Sequence, residues 1–352
     1  MILVLNCGSQ SIKWKLFDNK LSRVKQNELE VLNSGDYEKV LTKEIEKLKI
    51  KNELYGEQAI KIELIGHRVV HGGEKFSKPL KITDENLKQL ESVSRLAPLH
   101  NPHNILGIKV CREIFKDADN FAVFDTEFFD NLPEVVRIYA LPEDISKKFG
   151  FRKYGFHGIS HEYVAKKGAE IIKKPLKNLK VITCHLGGGA SITAIKNGKA
   201  IDTSMGFTPM EGLVMMTRAG SIDPGIILKL AKEYGPEKTD EILNKESGIR
   251  GVCGYGDMLS VLGKIKEGDK KAKLAFDVFV YSVKKYIGAY FAVLGGCDLL
   301  IFTGAVGAGK PITRNAVCRN LNILRNAKVL AIKTDEELAI AQKIWRTKEV
   351  SL

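Results

Sequence analysis

At 352 residues, 44% of them hydrophobic and 28% charged, the chain is long enough for two folded domains and too apolar for a disordered protein. Its 55 Lys and Arg against 42 Asp and Glu leave a net charge of +13, a summed field that favours anionic ligands. The basic residues are scattered and not interleaved with aromatics, which argues against nucleic acid, and no apolar run is long enough for a membrane span.

In chain order, residues 1–17 predict a hairpin, followed by a strand near 25–31 and a helix over 37–49. Residues 60–70 predict a strand ending in His71-Gly72-Gly73. An amphipathic helix is expected over 83–96, with Leu87, Leu90, Val93 and Leu96 on one face and Pro98 ending it. Asn101 and Pro102 look like the N-cap and first position of a helix reaching Phe115. A short buried strand over 121–124 then leads into Asp125. Residues 130–160 carry Pro133, Pro142, Gly150, Gly155 and Gly158, a natural boundary. Beyond it come a strand over 181–184, a hairpin turn at Asn197-Gly198, a long buried helix over 276–294 and a strand over 299–302. The last helix is expected to start at Thr334, with Glu337 completing a capping box. Strands alternating with helices indicate an α/β protein.

One device occurs twice. At an offset of 180, Ile2, Gly8, Ser11 and Ile12 match Ile182, Gly188, Ser191 and Ile192. Each copy is a strand, a turn of small residues and a second strand. Such turns let backbone N–H groups approach an anion. The repeat indicates a duplicated fold, with a phosphate chain held in a cleft between its halves.

Several residues suit phosphate chemistry. Asn6, Ser9, Ser11 and Lys13 surround the first turn, where hydroxyls and one ammonium could grip phosphate and Asn6 could hold Mg²⁺. Arg68 precedes the His71-Gly72-Gly73 turn and offers two parallel donors to a carboxylate or phosphate. Residues 203–224 are apolar and aperiodic, as a cavity-lining loop would be, and carry Arg218. His100, Asp125, His157 and Glu336 stand as further single candidates. The six cysteines form no CxxC pair, so no zinc site is indicated. Free thiols and the lack of a signal-peptide pattern make a cytoplasmic protein the expectation.

Eight segments, in order along nearly the whole chain, resemble the acetate kinase family. They are Asn6-Cys7-Gly8-Ser9 with Lys13, residues 66–74, Ala97-Pro98-Leu99-His100-Asn101-Pro102, Phe124-Asp125-Thr126, Tyr154-Gly155-Phe156-His157-Gly158, His185-Leu186-Gly187, residues 203–224 and residues 334–338. The resemblance implies two duplicated ribonuclease H-like domains of the actin-like ATPase type, flanking an active-site cleft. The first would span 1–149 with 333–352 returning to it, and the second 150–332. It implies reversible phosphoryl transfer from ATP to acetate with Mg²⁺ or Mn²⁺, and a homodimer. Carried over residue by residue, Arg68 and Arg218 would bind acyl substrate and phosphoryl group. Asp125 would be the catalytic carboxylate, His157 would stabilise the transition state, and His100 and His185 would line the site. Asn6 and Glu336 would be metal positions. Lys13, Ser9, Ser11, Gly187, Gly188, Gly189, Asp257, Gly304 and Gly307 would serve the nucleotide, and Val70, Leu99, Phe156 and Pro209 a small acyl pocket.

The chain departs from the family pattern mostly on the nucleotide side. Gly187-Gly188-Gly189 stands where Gly-Asn-Gly is usual, Gly256-Asp257-Met258-Leu259 where Ser-Asp-Phe-Arg is usual, and Lys310 where Asn is usual. Gln10 replaces a Ser in the first turn. Another nucleotide or pyrophosphate is therefore a candidate donor, and propionate a candidate acceptor.

Overall fold

A computed structural model describes residues 1–8, 11–31, 34–49, 61–98 and 100–350. Ser9, Gln10, Leu99 and the start of the strand expected at residue 60 lie outside the described residues. The chain forms two compact units, Met1–Glu127 with Asp335–Leu352, and Phe128–Thr334.

Each unit is built on the same sheet. In the first, β1 (Ile2–Cys7), β2 (Ser11–Phe17) and β3 (Arg23–Glu30) form an antiparallel meander. To the other side of β1 are added β4 (Leu64–Val69), parallel to it, then β6 (Asp119–Phe124), and a two-residue β5 (Leu80–Lys81) at the edge. In the second unit β7 (Lys180–Leu186), β8 (Ala190–Lys196) and β9 (Lys199–Thr203) repeat the meander. There β10 (Leu299–Thr303) and β11 (Lys328–Ala331) repeat the parallel pair. The orders β3-β2-β1-β4-β6 and β9-β8-β7-β10-β11 correspond strand for strand, so the repeat read at an offset of 180 is a repeat of whole sheets. The hairpin after β8 turns on Asn197 and Gly198, both left-handed (φ 54° and 76°), the conformation that suits the twist of the flanking strands.

Helices cover both sheets. The Tyr37–Lys49 helix buries Leu41, Ile45 and Leu48 in one cluster with Leu3, Leu5, Ile12 and Trp14. The last helix, Glu336–Val350, packs on β1 and β4. It lies so close that a Cβ on Gly66 would stand 2.6 Å from Ile340, which explains a glycine inside a central strand. In the second unit the Lys270–Leu294 helix buries Phe276, Phe279, Val283, Ile287 and Tyr290, a three-to-four-residue stripe. Among the described residues no helix is long and apolar enough to cross a membrane, and all six cysteines are free.

The structure revises four local readings. The helix expected over 83–96 spans Asp84–Ser92, because the Val93 amide bonds Leu90 and the chain tightens into a 3-10 turn at Ser94–Leu96. His100, not Asn101, caps the next helix; Asn101 is committed elsewhere, accepting from His71 N and donating to His71 O. The last helix is capped by Asp335, whose carboxylate accepts from Leu338 N at 2.9 Å, and Glu337 is left to turn inward. The first unit ends at Glu127, well before the boundary expected at 149, because Phe129 and Leu132 already pack with Ala200 of the second.

Two histidines of the first unit are wholly buried. His67 bonds Asn120 Oδ1 at 2.8 Å, and His71 Nδ1 accepts from Gly73 N. Burial pushes both pKa values down to about 4. The folded protein thus keeps them neutral, while the unfolded chain takes up protons below about pH 6.5. A base with a depressed folded pKa gives stability present near pH 7 and lost as pH falls toward 4. Urea unfolding should show about 2 kcal/mol lost per histidine between pH 7 and 5, with a shallower slope in His67→Gln. A flat profile for the unmodified protein would refute this.

Candidate active site

In the first unit the strand ends converge. Leu5 pairs with His67 across β1 and β4, and Arg68 pairs with Val123 across β4 and β6. Asn6, Arg68 and Asp125 therefore follow at neighbouring strand ends. Arg68 donates twice to Asp125, from Nε at 3.0 Å and Nη2 at 2.6 Å, and once to Asn6 Oδ1 at 3.2 Å. Its Nη1 also stands 3.5 Å from Glu336. Burial opposes the charge on Arg68, but Asp125 and Glu336 outweigh it and raise the pKa. Both Asp125 oxygens accept from this guanidinium, so Asp125 fixes Arg68 in place.

The helix beginning at Glu336 completes the cluster. Glu337 accepts from Asn6 Nδ2 and lies 3.1 Å from Lys15, which also pairs with Asp335 at 2.7 Å. Arg68 and Lys15 thus face Asp125, Asp335, Glu336 and Glu337, two cations against four carboxylates. Burial first, and then the neighbouring carboxylates, raise the pKa of Glu336 against the pull of Arg68. This surplus of oxygen ligands and negative charge fits a hard divalent cation. Among the described residues no three His, Cys, Asp or Glu form a metal cage. Mg²⁺ in phosphoryl-transfer sites commonly takes one or two carboxylates and leaves other positions to water and phosphate. Lys13, opposite Asn6 across β1 and β2, pairs with Glu28 on β3 at 2.6 Å and also pulls on the charge of Glu336. Glu337 and Lys15 were missed from sequence, the first because it read as a helix cap.

In the second unit three histidines gather over β7 and β8. His157 heads the Gly158–Ile171 helix in a left-handed conformation (φ 59°), a strained position for a non-glycine residue. Its ring stacks on His185 at 4.3 Å, and its Nδ1 lies 2.9 Å from Ser191. Residues 204–223 hold no regular element, as expected for a cavity-lining loop, and bring Arg218 to the same place. A Cβ on Gly189 would stand 3.5 Å from His157 Nε2 and 3.7 Å from Arg218 Nη1. Among the described residues Arg218 has no carboxylate partner; it donates to Pro209 O at 3.1 Å, and burial lowers its pKa. An imidazole and a guanidinium that has no carboxylate partner among the described residues, both close to one small residue, suit an anion.

Beside them is a cavity of about 300 Å³ lined by Gly187, Gly188, Met216, Asp257, Met258, Leu259, Leu262, Val306 and Lys310. Its walls are chiefly apolar, and Asp257 spends its carboxylate capping a helix through Ser260 N and Oγ. Gly304 (φ 76°) follows β10 so closely that a Cβ would meet Leu186 O at 2.5 Å, and Arg314 holds the carbonyl of the buried Gly307. Gly8 N–H is spent on Ser11 O and Gly187 N–H on Gly189 O, closing each loop, so these amides do not face a ligand. Of the expected acyl-pocket residues, Val70 belongs to the first unit, and Phe156 and Pro209 to the second; His100, expected to line the site, belongs to the first.

Comparison with known proteins bears on this arrangement. The model described as the acetokinase family matches residues 1–348. A curated acetate kinase from Dictyoglomus turgidum is 45% identical, covering 98% of this chain and 97% of that protein. The crystal structure of Porphyromonas gingivalis acetate kinase superposes with a TM-score of 0.86 at 37% identity, over 100% of this chain and 99% of that one. A propionate kinase structure from Francisella tularensis gives 0.87 at 36%, over 97% and 98%. Fold and relatives define a phosphotransferase with a carboxyl group as acceptor, built on the actin-like ATPase fold. The chain belongs to the acetokinase family.

The two arginines should behave oppositely when neutralised. Arg68→Met strands Asp125 and should cost roughly 3–5 kcal/mol, about 10 °C or more in melting temperature. Arg218→Met strands no carboxylate and should leave the melting temperature unchanged or higher. Differential scanning calorimetry checks both.

Proposed function

We propose that the protein transfers the terminal phosphoryl group of ATP to acetate, reversibly, forming acetyl phosphate and ADP. The observation that carries this reading is the convergence of Arg218 and His157 over Gly189, where Arg218 has no carboxylate partner among the described residues. Acetate is already ionised at neutral pH and needs no strong base. Its attack on a polyanionic phosphoryl group needs alignment and charge neutralisation. Arg218 and His157 supply positive charge to the phosphoryl oxygens in this reading. Arg68, locked by Asp125, presents a fixed guanidinium to anionic substrate, and Val70, Leu99, His100, Phe156 and Pro209 accommodate the methyl end. His185 supports the His157 ring by stacking. Asn6 and Glu336 would hold Mg²⁺, which when bound screens the charge of the nucleotide phosphates. The free cysteines agree with a cytoplasmic setting, and the resemblance carries a homodimer, which sedimentation analysis checks.

For the donor, the 300 Å³ cavity favours a nucleotide over pyrophosphate, since its apolar walls suit the flat faces of a base. Those walls offer little to the base edge, and the only carboxylate, Asp257, is occupied by Ser260. Purine discrimination should therefore be weak. For the acceptor, one methylene changes discrimination by only about 1–3 kcal/mol, so propionate should be a slower second substrate.

A hydroxamate assay for acyl phosphate tests the whole reading. Arg218→Ala should lower kcat by roughly a hundredfold or more while the protein stays folded; near-normal turnover would sink the assignment. ATP and GTP should differ by less than about tenfold in kcat/KM, and pyrophosphate should be inactive. Equal use of pyrophosphate would remove the nucleotide from the proposal.

A further inference from the structure

Among the described residues the guanidinium of Arg218 makes one hydrogen bond, to Pro209 O at 3.1 Å. A carbonyl can orient a guanidinium without cancelling its charge, so the other N–H groups stay available to an anion. The aim of Arg218 is then only as good as the placement of that one peptide group. Pro209 C=O and Met210 N–H share a peptide plane. Met210 N donates to Thr208 Oγ1 at 3.3 Å, a long bond within the turn itself. A firmer hold on the turn comes from outside it.

Tyr139 lies between the short Glu134–Arg137 and Glu143–Phe149 helices, in the stretch that reads from sequence as a boundary. Its hydroxyl accepts from Phe207 N at 2.8 Å and donates to Glu211 Oε2. The direction is fixed by the partners, since an amide N–H only donates and a carboxylate only accepts. Burial, and then Glu211, raise the Tyr139 pKa, so the hydroxyl keeps its proton. Phe207 and Glu211 stand two residues to either side of Pro209. One oxygen therefore ties both ends of the turn over 207–211, with Pro209 at its tip. Lys153 stands 3.4 Å from the other carboxylate oxygen, Glu211 Oε1, and donates to Thr203 O at the end of β9 at 3.1 Å. The closure is tight, because a Cβ on Gly206 would collide with both Glu211 Oε2 and Tyr139 Oη.

We propose that Tyr139 is a positioning residue for the transfer reaction: its hydroxyl closes the turn over 207–211, and the closed turn holds Pro209 O where it aims Arg218. The proposal rests on the assignment of Arg218 to the phosphoryl group. Tyr139 touches no substrate and acts through Glu211 and Pro209. With the turn open, Arg218 keeps its charge and loses its aim. A misplacement of about 1 Å in such a group can cost on the order of a hundredfold in rate.

Tyr139→Phe removes the hydroxyl and keeps the ring. It should lower kcat by roughly ten- to a hundredfold, with KM for ATP within about threefold. Added to Arg218→Ala, it should cost less than about twofold more, because it acts through the group already removed. Glu211→Ala should match Tyr139→Phe, whereas Glu211→Gln, whose amide oxygen still accepts from the tyrosine, should keep most of kcat. The readout that needs no substrate is ¹⁵N relaxation of the Arg218 Nε–H, which should show a more mobile side chain in Tyr139→Phe. With Arg218→Ala impaired, near-normal kcat in Tyr139→Phe overturns the proposal, as do additive losses in the double variant or equal losses in Glu211→Gln and Glu211→Ala. An Arg218 side chain no more mobile in Tyr139→Phe than before overturns it on its own. Near-normal turnover in Arg218→Ala would instead refute the phosphoryl role of Arg218, and the relaxation result would still decide whether Tyr139 aims it.

Discussion

The first unit is organised around one part-buried guanidinium, that of Arg68. Arg68 ties the ends of β1, β4 and β6 together through Asn6 and Asp125, and reaches the last helix through Glu336. A charge taken out of water this far is tolerable only with paired, hydrogen-bonded partners. Those partners come from three separate stretches of chain, so the pairing enforces the strand register as much as it profits from it. Slippage of β4 by one residue would send Arg68 to the other face of the sheet. Asp125, bound through both oxygens, serves this mechanical purpose first.

The duplicated sheets have diverged in their electrostatics while keeping their topology. The first unit concentrates formal charge, with carboxylates in surplus beside Arg68 and Lys15. The second sets three imidazoles and three hydroxyls around Arg218, which among the described residues has no carboxylate partner. One copy is suited to a cation and the other to an anion.

Local pattern made much of this legible. The helix over 37–49, the turn at Asn197-Gly198 and the offset of 180 all follow from short-range chemistry, and each has its counterpart in the structure. What stayed hidden depended on contacts far apart in sequence. Asn101 has the residue type of an N-cap, yet its side chain is claimed by His71. Glu337 fits a capping box, yet faces Asn6 and Lys15. His161 gave a weak signal: four residues after His157, it had to share that helix face. Arg218 was visible because a charge in an apolar, aperiodic stretch is unusual, but that it lacks a counter-ion is a fact of packing alone.

The returning helix also sets an order of events during synthesis. Residues 128–334 form an uninterrupted unit, whereas the first unit needs both ends of the chain. At roughly 5–20 residues per second, the ribosome spends on the order of 10–40 seconds between finishing β6 and delivering Glu336. Throughout that interval the face of β1 and β4 that receives Ile340 and Ile344 lacks its cover, and Arg68 lacks one of its carboxylates. The segment that seals the sheet and the one that completes the acidic cluster are the same few residues, translated after the whole second unit. Nascent chains released early would lose both together, so a partly made protein carries no half-working copy of the site.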